Sequence, residues 1–387
     1  MGPEASRTAA PARALLISSL YPSYADIYKY GFVHRRVVEY RRRGFAVDVV
    51  RPQLEGRSTS HLFDGVVCRT LSRRALAMLL RRGGHRSIAI HGLSEALWEV
   101  VAPHLAGRPV TFWVHGTELL DFSHVAYAYE DAPERERAQA RFARRLAFWR
   151  ELLRESRLDV RLVFVSQFSA ELAMADLGLR LDPRRYTVIP NPIDTRLFAY
   201  RPKPPELARR VLSLRPFKSR IHGSDLIAEA ILKLSRRAIF PDLQFSVVGD
   251  GPTFEEMTAS LHGLANVRIR KTFLLDHEIV AEHALHGVFL VPSRFDTQGV
   301  SRDEAMASGL VPVTNAVCAV PEFVDETCGV LAPADDGDAL AEGIERLARQ
   351  PRLFQRMSRA AARRKRAQTC AEIVIPREIA YLEQLWA

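Results

Sequence analysis

The sequence contains few cysteines and no long hydrophobic run. Its four cysteines lie far apart among 387 residues and form no CxxC pair, which argues against a disulfide framework or a thiol-based zinc site. No apolar run reaches the roughly 18–20 residues that a membrane-spanning helix requires. We therefore expect a cytoplasmic protein whose thiols stay reduced.

The first residues carry no clear targeting signal. Their apolar stretch is short for a signal peptide, and no small-residue cleavage site follows it. We interpret residues 1–13 as a disordered lead-in. Hydrophobic residues make up 47% of the chain and charged residues 26%, which is typical of a soluble globular protein. The length suffices for two or three domains.

The net charge of +10 favours a partner that carries phosphate or other anions. Charge alone does not choose between a nucleotide, a nucleic acid and an anionic membrane. Arginine-rich stretches at 41–43, 81–82 and 144–145 are candidates for contact with the inner face of a membrane, although scattered solvated arginines explain them equally well. No nucleic-acid partner is expected, because aromatic and basic residues do not interleave.

Short apolar runs alternate with longer amphipathic stretches from residue 14 onward. A helix is predicted over "FVHRRVVEYRRRG", ending at Gly44, and short buried strands are predicted at "ALLIS", "AVDVVRP", "SIAIHG", "PVTFWVHG", "RLVFVS" and "YTVIPNP". Strands separated by helices indicate βαβ units and therefore a largely parallel sheet.

Five prolines between Pro190 and Pro205 interrupt this alternation and mark a boundary. The alternation then restarts, so we predict an α/β fold with an N-terminal domain over 14–195 and a C-terminal domain over 196–365. The last segment, 366–387, reads as a helix interrupted by Pro376. In two such domains a ligand is expected at the carboxyl ends of the strands.

The segment "RFDTQGVSRDEAMASG" places two acids, Asp296 and Glu304, around a turn that leads into a helix. The S-x-x-E pattern predicts that the helix starts at Ser301 and that Glu304 completes a capping box. The helix N-terminus would form an anion-binding corner, and Gly299 would let a ligand approach the backbone. Hydroxyl groups of a sugar would suit the two acids; turn formation and capping explain them equally well.

A second candidate is the basic loop after the predicted strand "RVLSLRP". Arg215, Lys218 and Arg220 stand there, and three cations at a strand's carboxyl end suit a diphosphate. Each alone is more often a solvated surface residue. The strand that ends in "VVGDGP" leads to a tight turn but has no GxGxxG, so a dinucleotide site is not indicated.

The segment "PSRFDTQGVSRDEAMASGLVPV" resembles the E-x7-E signature of retaining glycosyltransferases of family 4, here with D-x7-E. Further resemblance follows in the family's order over nearly the whole chain: "LYPSYADIYKYGFVHRRVVEYRRRGFAVDVVRP", "VHGTE", "VIPNPIDTRLF" and "FSVVGDGP". The resemblance implies a GT-B fold, with two Rossmann-like domains whose parallel sheets face a central cleft. It also implies that residues 366–387 form a C-terminal helix that crosses back to the N-terminal domain.

The resemblance also implies roles for individual residues. Glu304 would hold the ribose of a nucleotide sugar, Asp296 the transferred hexose, Arg215 the diphosphate, and His115 the sugar and the reacting centre. Further donor contacts would come from Gly31, Lys218, Arg220, Gly249, Gly299, Val300 and Ser301. No metal is required, because the cations replace it.

The sequence departs from the family pattern at three places. Asp296 is one methylene shorter than the usual glutamate, so the loop moves in, a water bridges, or the donor sugar differs. The family's Lys-Gly pair is His222-Gly223, and its "GGxPE" is "CAVPE" from Cys318 to Glu322, without the glycine pair.

We therefore expect a retaining, metal-independent hexosyltransferase without a cofactor, which moves sugar from a UDP- or GDP-sugar to a glycan or lipid-linked acceptor in polysaccharide or glycoconjugate biosynthesis. Two alternatives remain open at this stage: a nucleotide-sugar epimerase on the same scaffold, and a glycan-binding protein with a decayed site. The donor's base and sugar, the acceptor, the linkage and the oligomeric state have no readable signal in the sequence.

Overall fold

The computed structural model of the protein describes residues 13–27, 29–105, 107–155 and 158–385. The expected disordered lead-in falls almost wholly outside these residues, and the first strand begins at Arg13.

The N-terminal part of the chain forms an eight-stranded sheet, the centre of what we call the N-domain. Its order is β3-β4-β2-β1-β5-β6-β7-β8. The strands are β1 (Arg13–Ser18), β2 (Val47–Pro52), β3 (Thr59–Phe63), β4 (Val66–Leu71), β5 (His85–His91), β6 (Val110–Val114), β7 (Val160–Phe164) and β8 (Tyr186–Val188). The central strands are apolar and buried on both faces, as a sheet covered by helices on each side requires.

All neighbouring strands of this sheet are parallel except the β3–β4 hairpin, which the sequence analysis missed. The hairpin turns at Asp64 and Gly65, both with positive φ (43° and 73°), which is the backbone that a tight hairpin needs. Strand β3 is largely exposed and therefore has no apolar pattern to reveal it.

Five helices belong to the N-domain: α1 (Gly31–Arg42), α2 (Arg73–Arg82), α3 (Glu95–Val101), α4 (Ala132–Arg154) and α5 (Gln167–Leu177). Gly44 follows α1 with φ of 75°, in agreement with the predicted glycine stop.

The second part of the chain, here called the C-domain, has a six-stranded sheet of order β11-β10-β9-β12-β13-β14, parallel throughout. Its strands are β9 (Arg210–Pro216), β10 (Gln244–Asp250), β11 (Val267–Lys271), β12 (Val288–Leu290), β13 (Val311–Asn315) and β14 (Val330–Ala332). Its helices are α6 (Ser224–Ser235), α7 (Phe254–Thr258), α8 (Asp276–Leu285), α9 (Val300–Ala307), α10 (Val320–Phe323), α11 (Gly337–Arg349) and α12 (Pro351–Gln368).

The last helix, α13 (Ala371–Gln384), packs against α1 of the N-domain. At that contact, buried Arg36 donates to Glu378 at 2.9 Å, and the hydroxyl of Tyr40 donates to the same carboxylate at 2.6 Å. The prediction that Pro376 interrupts this helix is wrong, because α13 continues through it. Packing of the helix's buried face on α1 outweighs the one backbone hydrogen bond that a proline cannot make.

The predicted start of α9 is also wrong. The helix begins at Val300, and its N-cap is Gly299 with φ of 84° and no side-chain cap. A left-handed glycine brings the chain into the helix one residue early, so Ser301 lies inside the first turn. Glu304 therefore does not complete a capping box.

Candidate functional site

The amino end of α1 forms one wall of the gap between the two domains. Gly31 is the first residue of this helix, and a Cβ built on it would meet no atom within 4 Å. The residue before it, Tyr30, has φ of 55°, which is an uncommon conformation for a tyrosine. The free N–H groups of the helix end therefore lie beside a turn with an uncommon backbone conformation and open space at Gly31. The donor-binding role of Gly31 stays a prediction.

The loop before α9 places Asp296 next to Gly299 and Arg302. One oxygen of Asp296 accepts from the backbone N–H of Gln298 at 2.9 Å, and the other lies 3.9 Å from Nη1 of Arg302. A Cβ on Gly299 would come within 2.7 Å of the Asp296 carboxylate and 2.8 Å of the Arg302 guanidinium. Glycine is therefore required here both by the backbone angle and by the close approach.

Glu304 contacts the opposite domain. Its carboxylate accepts a hydrogen bond from Arg35 of α1, and the same guanidinium donates to Asp276 of α8 at 2.6 Å. Arg35 also lies over the ring of Phe198 at 5.6 Å. Burial raises the pKa of Glu304, and the charge of Arg35 opposes that rise. Arg35 has no distinguishing signal in the sequence, where it is one of several arginines on an amphipathic helix.

Arg215 is the last residue but one of strand β9 and is buried, with 7% of its surface exposed. Its Nη2 donates to the carbonyls of His222 and Pro292 and to the hydroxyl of Ser293 at 2.8, 3.1 and 2.9 Å. Burial lowers the pKa of Arg215 to about 10, and the nearby Asp296 carboxylate opposes that lowering. The predicted diphosphate-binding cation and hexose-binding acid therefore lie within electrostatic reach of each other.

The other two predicted cations are placed differently. Lys218 is exposed on the loop after β9. Arg220 pairs with Glu130 of the N-domain at 2.5 Å and lies 3.7 Å from Asp225. Arg220 therefore already links the two domains, whereas Lys218 is exposed and accessible to a ligand.

His115 follows strand β6 and lies in a cluster of aromatic rings. Its Nε2 is 2.8 Å from Nδ1 of buried His91, and the ring of Phe32 contacts it edge-on at 4.6 Å. Burial lowers the pKa of both histidines well below the usual value, so both are neutral near pH 7. The hydroxyl of Thr297 donates to the carbonyl of His115 at 2.6 Å, which ties the loop of Asp296 to the N-domain.

Buried charged residues hold helix α9 against α12. Asp303 is fully buried and lies 3.3 Å from Nζ of Lys365 on α12 and 3.2 Å from Nη2 of Arg302. The amide of Gln298 donates to Asp303 and to the carbonyl of Asn191, in the segment between the two sheets. These contacts hold the helix that carries Glu304 in one orientation.

Two further positions have structural explanations. A Cβ on Gly249 would come within 2.0 Å of the Arg215 carbonyl, so this glycine allows β10 to pack against β9; its donor-binding role stays a prediction. Glu322 accepts from the backbone N–H groups of Gln167 and Phe168 at 3.0 and 2.6 Å and so caps α5 of the N-domain. In the described part of the chain, no group of three or more His, Cys, Asp or Glu residues could hold a metal ion.

None of the helices in the described ranges is long and apolar enough to cross a membrane. The described residues thus include no candidate for a membrane-spanning helix.

Two protein-family models match the chain, one on each domain. Residues 32–197 match the family described as "Glycosyltransferase Family 4", and residues 208–350 match "Glycosyl transferases group 1". The first match therefore covers the N-domain, and the second covers most of the C-domain.

Curated relatives match over shorter segments. An MMP alpha-(1->4)-mannosyltransferase of Mycolicibacterium hassiacum is 29% identical over 206 residues, which is 52% of this chain and 49% of that protein. An alpha-D-kanosaminyltransferase of Streptomyces kanamyceticus is 31% identical over 144 residues, which is 36% of this chain and 36% of the relative. The chain thus spans half or less of the length of these two relatives.

Solved structures match over nearly the full chain. Sucrose-phosphate synthase from Thermosynechococcus elongatus superposes with a TM-score of 0.73 at 16% identity, over 97% of this chain and 99% of the other. HepE of Anabaena, in complex with UDP and glucose, superposes with a TM-score of 0.70 at 15% identity, over 96% and 100%. These likenesses confirm the predicted GT-B fold. The family models that match its two domains, over residues 32–197 and 208–350, identify the chain as a glycosyltransferase of the family 4 type.

Proposed function

We propose that this protein is a retaining hexosyltransferase that moves a sugar from a UDP- or GDP-sugar to a glycan or lipid-linked acceptor. The observation that carries the proposal is the corner at the amino end of α9. Gly299 precedes the helix there without a side-chain cap, and Asp296 and Glu304 stand on either side of it in the chain. Arg215 of β9 lies within electrostatic reach of Asp296.

The chemistry follows from the charges at that corner. As the anomeric bond breaks, negative charge builds on the departing diphosphate, and pre-placed cations and N–H groups stabilise it. Arg215 and the amino ends of α9 and α1 supply such groups, with Lys218 or Arg220 as a second cation. The diphosphate itself can accept the proton of the acceptor hydroxyl on the same face of the sugar, which retains the anomeric configuration. This route assigns no step to a metal or a cofactor.

The two acids would bind hydroxyl groups. The carboxylate of Glu304, now bonded to Arg35, would accept from the donor ribose once Arg35 moves aside, and Asp296 would accept from the hexose. His115 lies across the gap, tied to the Asp296 loop through Thr297, and would contact the sugar as a neutral side chain. An ionised carboxylate that accepts from a neutral hydroxyl makes a stronger hydrogen bond than a neutral acceptor does.

The relatives' names support transfer in preference to epimerisation, since they describe a mannosyltransferase and a kanosaminyltransferase. Those names differ in the sugar moved, so they leave the donor of this protein open. The name of the HepE complex records UDP and glucose, which supports including UDP-glucose among the donors tested.

The experiment is to measure UDP or GDP release from a panel of nucleotide sugars, with and without glycan and lipid-linked acceptors, in the presence and absence of EDTA. We expect release that depends on an acceptor and is unaffected by EDTA, and a product with the donor's anomeric configuration by NMR. Interconversion of the donor without acceptor would identify an epimerase, and glycan binding without turnover a decayed site.

A variant pair tests the site itself. Glu304→Ala should abolish release, whereas Glu255→Ala, which removes an exposed acid of α7 in the same domain, should leave it unchanged. Unchanged turnover in Glu304→Ala would refute the assignment of this acid.

A further inference from the structure

Helix α12 has an unusual charge composition. Its sequence from Pro351 to Gln368 contains seven cations and no acid. Five of the cations are exposed and recur every three or four residues, so they lie along one side of the helix. We call this side the arginine face. Its members are Arg352, Arg356, Arg359, Arg363 and Arg366. At 1.5 Å per residue the row is about 21 Å long.

The two remaining cations of α12 form ion pairs within the protein. Arg364 pairs with Asp325, and buried Lys365 pairs with Asp303 behind α9. Within the described ranges, no member of the arginine face has an acid within salt-bridge distance; Arg366 lies over the ring of Tyr200 at 6.0 Å. The helix therefore uses its inner cations to hold the fold and leaves its outer row available to an external anion.

A groove of about 780 Å³ runs beside the arginine face. Four arginines of the face line it, together with the apolar residues Leu353 and Met357 and one acid, Glu326. Guanidinium groups beside apolar side chains suit a phosphate whose remaining parts are apolar. The proportion of four cations to one acid favours an anionic occupant.

We propose that the arginine face is a docking surface for an anionic phospholipid bilayer. Guanidinium groups bind phosphate through paired hydrogen bonds, and a straight row of equivalent groups matches a surface of many equivalent phosphates. A folded protein partner fits less well, because protein interfaces have a core that is depleted in charge and rich in aromatic side chains. Nucleic acid remains the alternative polyanion.

The mode of contact is adsorption. The apolar side of α12 packs inside the C-domain through Phe354, Met357 and Ala361, so it is not available to enter the acyl region. Binding should therefore depend on charge, and salt should weaken it. This surface lies behind α9 and contains none of the predicted donor-binding residues, so the inference does not depend on the proposed function.

The test is flotation of the full chain with phosphatidylcholine vesicles, with and without phosphatidylglycerol, at low and high salt. We expect binding only with phosphatidylglycerol and only at low to moderate salt. The triple variant Arg356→Glu, Arg359→Glu and Arg363→Glu should bind more than about 100-fold more weakly. Its neutral counterpart, with glutamine at the same three positions, should fall between that variant and the wild type.

The matched control reverses three exposed arginines of α4, namely Arg135, Arg137 and Arg141, and so changes the net charge equally. It should bind within about threefold of the wild type. If the control loses vesicle binding as much as the α12 variant does, the net charge and not the arginine face is responsible. If the wild type does not bind the vesicles, the proposal is overturned. Tighter binding of a short DNA duplex than of the vesicles, lost in the same α12 variant, would assign the face to nucleic acid and also overturn it.

Discussion

Arg35 of α1 donates a hydrogen bond to Glu304 of α9 across the gap between the two domains. Asp276 of α8 accepts from the same guanidinium, so a single side chain of the N-domain holds two helices of the C-domain. The glutamate that the family resemblance assigns to the donor ribose is thus engaged by an arginine. Under the proposed function, donor hydroxyls would have to compete with Arg35 for this carboxylate or share it.

We expect Arg35→Ala to strengthen nucleotide binding, because ribose no longer competes with a charged donor for Glu304. Affinity for the nucleotide released in the donor panel should rise about 3- to 10-fold, measured by calorimetry. The affinity should be measured at pH 8, because loss of Arg35 removes a charge that opposes the raised pKa of Glu304. An alkaline pH then favours the ionised carboxylate.

The control for this change is Arg196→Ala, which breaks a pair with Glu39 of α1 but lies away from Glu304. It should leave nucleotide affinity unchanged. Weaker binding in Arg35→Ala would mean that Arg35 orients the carboxylate for the donor and does not compete with it.

Gly299→Ala should damage both stability and activity. The added methyl would come within 2.7 Å of the Asp296 carboxylate, at a φ of 84° that alanine rarely adopts. We expect a loss of about 1–3 kcal/mol in the free energy of unfolding and at least a tenfold fall in nucleotide release.

Gly263→Ala separates the cost of the left-handed backbone angle from the effect of the close approach to Asp296. This glycine has a nearly equal φ of 89°, but a Cβ there would meet nothing within 4 Å. It should show the backbone cost alone, with normal nucleotide release. If both variants lose activity to the same extent, the close approach at Gly299 is not what matters.

Glu378→Ala should strongly destabilise the contact of α13 with α1, because it leaves the Arg36 guanidinium buried without its carboxylate. We expect a loss of about 3–5 kcal/mol, measured by urea denaturation. The half-exposed acid of the same helix, Glu372, is the control, and its replacement by alanine should cost less than about 1 kcal/mol. The double variant Arg36→Met, Glu378→Leu should recover much of the loss; no recovery would contradict the explanation by an unpaired buried charge.

Lys203 makes stability depend on pH in the alkaline range. It is buried and donates to the carbonyl of His283, and burial lowers its pKa from 10.5 to about 8. Between those values the unfolded chain binds more protons than the folded one, so stability rises with pH. From pH 7.5 to 9.5 this lysine should contribute an increase of about 2 kcal/mol.

Lys203→Met should remove that increase, whatever it does to stability at a single pH. The measurement is urea denaturation of both proteins at pH 7.5 and 9.5. An equal change with pH in the two proteins would show that Lys203 is not the group responsible.

Local sequence pattern was sufficient for much of the fold and for part of the site. Most strands of the two sheets follow from short buried apolar runs, although β14 as well as the β3–β4 hairpin was not predicted. The α9 corner follows from a glycine between two acids. The hairpin of β3 and β4 was missed because β3 is exposed and polar, and the start of α9 was placed one residue late because a left-handed glycine replaced the expected serine cap.

By itself the sequence determined the alternation of strands and helices, since periodicity and turn residues act over a few positions. Only the tertiary structure decided which charges meet: Arg35 reaches Glu304 across 269 positions, and Arg36 reaches Glu378 across 342. No local pattern encodes such pairs, because they depend on how the two sheets and the returning helix are placed in space. The same holds for α12, whose seven cations read alike in sequence until packing buries one, pairs another and leaves five on the surface.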